Sequence, residues 1–385
     1  MKKLLSILAI AAMSTVAFAQ GGNVGDGGSD GNYKSLSERL LNLEKKTENF
    51  NLFLNYAASY QMSEAADEWT SAFRAKQLRL EIKGQFGDHL TYRIRHRLNR
   101  AQDGKSEENF AKATDIMMFG WKFNDKFTLM GGKLCQFWGG YEFDENPMYI
   151  YQYSDMIDNL DNFLAGVALS VTPIPSQEFV FNISNSYSGK FADEYGAGAV
   201  TADGKVLQAA NHPLAYIFNW NGSFGGGLVT TRWGVGSYTQ AKHYHDNMIF
   251  LGQSLNLPKF QWYFDYMGAF EGLDRLRIAT GEFGGNGYQT HVRYNSFVTK
   301  MNWQFSEGWN LMLKGMYETA ATKDFGKFRT SLGYIGALEY YPLKDQDLRF
   351  FVAYVGRHFS YNKLITPDYS TNRIELGFMF RIKAY

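Results

Sequence analysis

The sequence predicts an all-β protein, a transmembrane antiparallel β-barrel of about sixteen strands with a short periplasmic helix before it. Three observations indicate this fold. Apolar residues recur at every second position in many stretches, short and long connections alternate between these stretches, and the N-terminus has the features of a secretion signal. Period-two alternation gives each strand one apolar and one polar face. In an outer-membrane barrel the apolar face meets lipid and the polar face lines a water-filled lumen.

The N-terminal segment 1–19 is predicted to be a signal peptide. Lys2 and Lys3 precede an apolar run, and the run ends at the small-x-small sequence Ala17-Phe18-Ala19. The apolar run is too short for a membrane anchor, so cleavage after Ala19 and export from the cytoplasm are expected.

Residues 20–50 are predicted to form a flexible Gly-rich lead and then one short periplasmic helix. Leu36, Leu40, Leu43 and Phe50 fall on one helical stripe, with Glu and Lys outside it. Two heptads are marginal for an isolated helix. The helix therefore either forms a short trimeric coiled coil or lies against the base of the barrel.

The composition agrees with an exported barrel. Aromatic residues make up 17% of the chain, there are 39 Gly and 7 Pro residues, and the mean hydropathy is −0.33. No window after the signal peptide approaches the roughly 18 apolar residues of a transmembrane helix. Cys135 is the only cysteine, which excludes an intramolecular disulfide framework. The net charge of +1 gives no indication of a nucleic-acid partner.

Residues 51–385 are predicted to form the barrel. The last strand shows the pattern most clearly: Ile374, Leu376, Phe378, Phe380 and Ile382 form one apolar face, and the other face carries Arg373, Glu375, Arg381 and Lys383. Tyr385 is aromatic and terminal, but it is out of phase with Phe380. The positions predicted to face lipid elsewhere include Phe119, Trp121, Phe181, Phe218, Trp233, Ile249, Trp262, Phe264, Phe297, Leu313, Tyr334, Leu338 and Val352.

The connections are predicted to sort by length onto two rims, as in outer-membrane barrels. The tight connections are 86–89, 123–126, 172–177, 224–227, 257–259, 306–308 and 343–347. The long connections are 63–73, 99–113, 135–162, 186–212, 237–247, 270–290, 318–328 and 359–371. Sixteen strands spaced about 4.7–4.9 Å apart at roughly 40° tilt give a diameter of about 30 Å, too wide for side chains to fill. Loop 135–162, after the fifth strand, is predicted to fold into this lumen.

Several segments resemble the phosphate-selective porin O/P family of Gram-negative outer-membrane porins. These are LRLEIKGQFGDHLTYRIRHRLNR, GGKLCQFWGGYEFDENP and LDNFLAGVAL. The resemblance covers most of the mature chain. It implies a sixteen-stranded barrel that assembles as a homotrimer, with a third loop that follows the fifth strand and narrows the pore. It also implies an outer-membrane location, lipid around the barrel, and small hydrophilic solutes or anions as the diffusing species.

The lumen-facing positions are predicted to be basic. Arg93, Arg95 and Arg97 share one face of the third strand, about 6.6 Å apart from one to the next. Arg79 and Lys83 lie on the same face of the second strand, with Glu81 between them. Guanidinium groups suit phosphate and carboxylate because they offer paired donors. Further predicted pore-lining bases include Lys300 and Lys314.

The infolded loop is predicted to be acidic and aromatic. Its candidate constriction residues are Trp138, Tyr141, Glu142, Asp144 and Glu145. We expect the carboxylates to face the bases of the second and third strands, which would favour polar solutes in general and weaken strict phosphate selectivity. We expect the aromatic residues to pack the loop against the wall, with sugar stacking as the other interpretation.

The expected function is passive diffusion of small hydrophilic solutes with a preference for anions such as phosphate. The alternatives are a general, weakly selective porin and, from another class, an outer-membrane barrel hydrolase. No nucleophile–base–orienter spacing supports an enzyme. His243-x-His245 lacks a third metal ligand, and GEFGGNG (281–287) has no helix after it to hold a phosphate. No cofactor, metal or catalytic residue is therefore predicted.

Overall fold

A computed structural model describes residues 49–65, 68–101, 107–283, 285, 287–344, 346–362 and 366–384. The predicted signal peptide, the Gly-rich lead, nearly all of the predicted periplasmic helix, and Tyr385 lie outside the described residues.

Sixteen long strands close into one antiparallel barrel, in which each strand pairs with its neighbours along the chain and the last strand pairs with the first. This confirms the predicted fold. The first strands are β1 (Asn51–Ala65), β2 (Glu68–Phe86), β3 (Leu90–Arg97), β4 (Thr114–Asn124), β5 (Phe127–Cys135), β6 (Phe163–Ile174) and β7 (Gln177–Asn185). The remaining barrel strands are β9 (Leu214–Phe224), β10 (Val229–Ala241), β11 (Tyr244–Leu257), β12 (Phe260–Leu273), β14 (Thr290–Ser306), β15 (Trp309–Thr322), β16 (Gly326–Tyr340), β17 (Asp347–Tyr361) and β18 (Tyr369–Lys383).

The long connections contain the other regular elements. Two short strands, β8 (Val200–Thr201) and β13 (Gly287–Tyr288), pair in parallel outside the barrel. The short helices are Tyr141–Asp144, Asp155–Asn159, Phe191–Tyr195 and Ile278–Phe283, together with one 3₁₀ turn, Pro147–Tyr149. Among the residues that the structure describes, no helix is long and apolar enough to cross a membrane.

Side chains along the strands point alternately out of and into the barrel, as the alternation in the sequence predicts. In β12, Trp262 is 44% exposed on the outside, whereas the next residue, Tyr263, is completely buried on the inside. Outward aromatic side chains also contact each other across strands, as Trp220 and Trp233 do with ring centroids 5.2 Å apart. The predicted lipid-facing register is therefore confirmed.

The tight turns all lie on one rim, as predicted, but several long connections on the other rim are shorter than expected. Connection 63–73 was predicted as a long loop, yet β1 continues to Ala65 and pairs there with Glu68 of β2. The predicted loops 237–247 and 318–328 are likewise mostly strand. In these stretches polar and small residues interrupt the alternation of apolar residues, so the side-chain pattern does not mark them as strands. The alternation of apolar side chains therefore ends before the backbone pairing of the strands does.

Candidate pore constriction

Residues 136–162, which we call the inner loop, connect β5 to β6 and pack against inward-facing side chains of the barrel wall. The loop leaves the wall through Gly139 and Gly140, whose φ angles are 90° and 78°. Residues with a Cβ rarely adopt these angles, so the two glycines allow the chain to turn sharply after β5.

The start of the inner loop is fixed by a buried carboxylate. Asp265, an inward-facing residue of β12, accepts hydrogen bonds from the backbone N–H of Tyr141 at 2.8 Å and of Glu142 at 2.7 Å. The Tyr141 hydroxyl lies 2.5 Å from the Thr230 hydroxyl on β10. A buried carboxylate that accepts several hydrogen bonds holds a loop firmly, because losing any partner would leave a buried polar group unsatisfied.

Aromatic packing supports the same segment. The Trp138 ring stacks on Phe250 at 5.8 Å between centroids and meets Tyr238 edge-on at 5.7 Å. The Tyr141 ring stacks on Tyr263 at 5.6 Å. Gly234 of β10 lies against Trp138, and a Cβ at Gly234 would overlap the Trp138 carbonyl oxygen. Trp138 and Tyr141 are therefore packed against the wall.

Two inner-loop carboxylates form ion pairs with lysines of the wall behind the loop. Glu142 pairs with Lys314 of β15, and its carboxylate also accepts a hydrogen bond from the Ser154 N–H at 2.8 Å. Glu145 pairs with Lys300 of β14. Burial raises the pKa of the Glu145 carboxyl, and the Lys300 ammonium acts in the opposite direction. Lys300 and Lys314 therefore hold the inner loop in place.

Arginines of the wall bind two further carboxylates of the inner loop. Asp144 pairs with Arg232 of β10. Asp155 lies 2.6 Å from Arg329 of β16 and 2.8 Å from Arg357 of β17. We use the name docking wall for the five bases that pair with the inner loop, namely Arg232, Lys300, Lys314, Arg329 and Arg357.

The docking wall corrects one expectation from the sequence. The inner-loop carboxylates were expected to face the bases of β2 and β3, but the ion pairs described above join them to strands β10 and β14–β17. Parity gives the direction of each side chain, but it does not determine which strand the inner loop crosses to. Glu142 and Lys314 are 172 positions apart, and only the path of the loop brings them together.

The predicted arginine ladder of β3 points into the barrel and meets two acidic residues. Arg93 lies 2.6 Å from Glu81 of β2. Asp115 of β4 lies 2.7 Å from Arg97 and 3.4 Å from Arg95. The ladder is therefore partly neutralised by these two carboxylates.

Sequence reasoning missed Asp115 because of a β-bulge. Asp115 has the same parity as the outward-facing Met117, so strict alternation would place it toward lipid. Arg95 pairs with Ile116 and His96 pairs with Thr114, which leaves Asp115 as the extra residue of β4. A bulge of this kind redirects a side chain to the other face. The sequence did contain a signal of the bulge, because Asp115 is a charged residue at a position that strict alternation would place toward lipid.

Further bases extend this part of the lumen. The Lys83 ammonium lies 5.2 Å and the Arg381 guanidinium 4.4 Å from the centroid of the Phe53 ring. We use the name basic wall for inward-facing bases of β2, β3 and β18, which include Lys76, Arg79, Lys83, Arg93, Arg95, Arg97, Arg373, Arg381 and Lys383. The inward-facing carboxylates among the described contacts of these bases are Glu81, Asp115 and Glu375. Cations therefore outnumber carboxylates on the basic wall.

The described residues of the site show no metal-binding arrangement. Within the described ranges, no three His, Cys, Asp or Glu side chains come together in a way that could hold a metal ion.

Comparison with known proteins agrees with the barrel fold. The family model for phosphate-selective porin O and P matches residues 50–382. No curated protein matches the chain in sequence.

Solved structures with a similar fold are outer-membrane proteins. The channel DcaP of Acinetobacter baumannii has a TM-score of 0.60 at 10% identity, over 88% of this chain and 100% of that one. The anion-selective porin from Comamonas acidovorans has a TM-score of 0.56 at 9% identity, over 87% of this chain and 99% of that one. The trimer form of OmpT of Vibrio cholerae has a TM-score of 0.56 at 9% identity, over 87% of this chain and 100% of that one. At these identities the similarity shows the fold alone.

Proposed function

The chain belongs to the family of phosphate-selective porins O and P, and from this premise we propose an outer-membrane channel for passive diffusion of small hydrophilic solutes that favours anions. We propose phosphate as one such anion. The guanidinium groups of Arg93, Arg95 and Arg97 carry paired donors that match phosphate oxygens. A row of similar sites lets an ion move along the wall without a deep trap.

One observation carries the anion preference: the inner-loop carboxylates are paired with bases of the docking wall, whereas the bases of the basic wall outnumber the carboxylates beside them. The carboxylates of Glu142, Asp144 and Glu145 form ion pairs with the docking wall. The field of a charge is largely cancelled by an adjacent opposite charge, so these carboxylates contribute little to the rest of the lumen. The basic wall keeps an excess of cations and therefore sets the sign of the field there.

A general, weakly selective porin is the second candidate. Asp115 and Glu81 favour this alternative, because they neutralise part of the arginine ladder. At physiological salt the Debye length is about 8 Å, so the remaining excess acts only on ions that pass close to the wall. The width of the passage beside the basic wall decides between the two candidates.

We further propose a homotrimer in the outer membrane, exported with a signal peptide that is cleaved after Ala19. The trimer form of OmpT, which has the same fold, supports the oligomeric state. Lipid surrounds the exposed apolar band of the barrel, and the diffusing solutes are the only other partners that this function requires.

Conductance of the purified protein in planar bilayers tests the channel function. A porin gives steady ohmic currents, and phosphate added to a chloride solution changes the current if it competes for the same sites. A closed barrel that hydrolyses a lipid or peptide substrate would instead support the hydrolase alternative. Equal permeability to chloride, phosphate and potassium would support the general porin.

A further inference from the structure

Two adjoining grooves lie on the outside of the barrel, toward the rim of long connections. The lower one, which we call the apolar groove, has a volume of about 670 Å³. Its outward-facing lining is mostly apolar and includes Phe181, Phe218, Val235, Ile249 and Phe270. These side chains belong to five neighbouring strands, so the groove runs across the sheet.

The strand register explains the shape of the apolar groove. Val235 pairs with Phe218 on one side and with Ile249 on the other, which makes one apolar row. In the next row toward the rim, Ser237 lies between Tyr216 and Asn247. The small Ser237 side chain leaves a gap between its larger neighbours. A slender apolar chain fits such a gap better than a flat protein surface does.

The upper groove, which we call the basic groove, has a volume of about 840 Å³ and a different chemistry. Its exposed lining contains three cations and three imidazoles: Lys205, Lys242, His243, His245, His291 and Arg293. Lys205 forms an exposed ion pair with Asp203. Glu271 also lines the groove, but its side chain is buried and accepts hydrogen bonds from the backbone of Arg275 and Leu276.

Contacts with neighbouring residues position several of the cations and imidazoles of the basic groove. The Arg293 guanidinium lies 5.1 Å from the centroid of the Phe270 ring, and the Lys242 ammonium lies 3.3 Å from Gln208 Oε1. His245 Nδ1 lies 3.1 Å from the Thr239 hydroxyl. Gly272 lies in the groove lining with them and contributes no side chain. The basic groove is therefore an open site lined by several cationic and imidazole donors.

The two grooves form one continuous surface. Phe270 lines both of them, and its strand neighbour Arg293 lines the basic groove. His245 is four residues along β11 from Ile249, which is about 13 Å at the rise of a strand. The outer surface therefore changes from apolar to cationic within the length of one lipid head group and its first methylenes.

We infer that these grooves bind a phosphorylated lipid of the outer leaflet, with an acyl chain in the apolar groove and a phosphate in the basic groove. Charged donors bind phosphate through short, charge-assisted hydrogen bonds. The apolar groove favours a lipid over free phosphate, because a free ion would leave that groove without a ligand. The grooves face away from the lumen, so the inference does not depend on ion selectivity.

Binding of a defined lipid to the purified protein in detergent tests the inference. The probe is lipid A, an acylated disaccharide with two phosphates, and its fully dephosphorylated form and inorganic phosphate are the comparison ligands. We expect lipid A to bind, the dephosphorylated form to bind roughly tenfold more weakly, and inorganic phosphate to compete only at much higher concentration.

Variants separate the two grooves. Lys242→Gln with Arg293→Gln should lower lipid A affinity roughly tenfold, and Ser237→Phe should lower it by filling the apolar groove. Lys126→Gln with Lys259→Gln makes the same charge change at the rim of tight turns and should leave the affinity unchanged. All of these variants should keep the wild-type conductance, which shows that they fold.

Three results would overturn the inference. One is equal binding of lipid A and its dephosphorylated form, and another is equal loss in the two double variants. The third is a trimer whose subunits cover the grooves, because a second copy of the chain would then be the occupant. Cross-linking between subunits through Asn247→Cys or Phe270→Cys would show this.

Discussion

Arg97 Nε lies 2.7 Å from the carboxylate of Asp115, so the arginine ladder has its own counter-charge inside the barrel. Removing that charge should strengthen the anion preference. We expect Asp115→Asn to move the reversal potential in a KCl gradient further toward the anion side. Asp125→Asn, at a fully exposed tight turn, is the control and should cause no shift. A movement toward cations would mean that Asp115 is needed to orient the ladder.

The ladder itself should determine the sign of selectivity. Replacing Arg93, Arg95 and Arg97 together by Ala removes three cations and leaves Glu81 and Asp115 without these partners. We expect the reversal potential to move toward cations. Replacing three exposed lysines at the tight-turn rim, Lys126, Lys259 and Lys344, is the matched control. If the ladder variant and the control give the same potential, the ladder does not lie beside the path of the ions.

The inner loop should control both the size and the charge of the passage. Deleting residues 140–158 removes the narrowing segment and also the carboxylates that neutralise the docking wall. Conductance should therefore rise, and the anion preference should rise with it. A matched deletion within loop 186–212 tests the rival loop. An increase in conductance for that deletion and none for 140–158 would assign the constriction to the other loop.

The ion pair between Glu142 and Lys314 should show strong energetic coupling. Lys314→Gln leaves a buried carboxylate without its cation, which typically costs about 3–5 kcal/mol. The double variant Glu142→Gln with Lys314→Gln should lose less, because two neutral amides replace the pair. Unfolding by urea in lipid vesicles measures the free energies of the four members of this cycle. Additive losses would show that the two side chains do not interact.

The lipid-facing register gives a prediction that is independent of the pore. Phe264 is outward-facing near the middle of β12, and an Arg there should cost about 2–4 kcal/mol of unfolding free energy. Tyr263 is an unsuitable inward control, because it stacks on Tyr141 of the inner loop. Asn221→Arg is better, since Asn221 lies 3.0 Å from Glu178, with which an Arg could pair. Equal costs at both positions would contradict the register.

Strand register and turn positions were predictable from the sequence because each depends on neighbouring residues. Trp262 and Tyr263 differ in burial because adjacent side chains point to opposite faces. The bend at Gly139 and Gly140 is also a local feature, since a pair of glycines after β5 allows the chain to leave the wall.

The parts that were not predictable depend on distant residues or on irregular pairing. The pairing of Glu142 with Lys314 follows from the path of the inner loop across the lumen, and no local pattern specifies that path. Asp115 enters the lumen through a bulge, and a bulge reverses parity at one residue. The continued pairing of β1 and β2 to Ala65 and Glu68 rests on backbone hydrogen bonds, which the side-chain pattern does not report.

The reversal potential of the wild-type channel in a KCl gradient tests the central claim most directly. An excess of cations on the basic wall predicts a potential on the anion side. The potential should shrink as salt rises, because the Debye length falls from about 10 Å at 0.1 M to about 3 Å at 1 M. A wild-type potential on the cation side would contradict the account, since it would mean that the inner-loop carboxylates dominate the lumen despite their ion pairs with the docking wall.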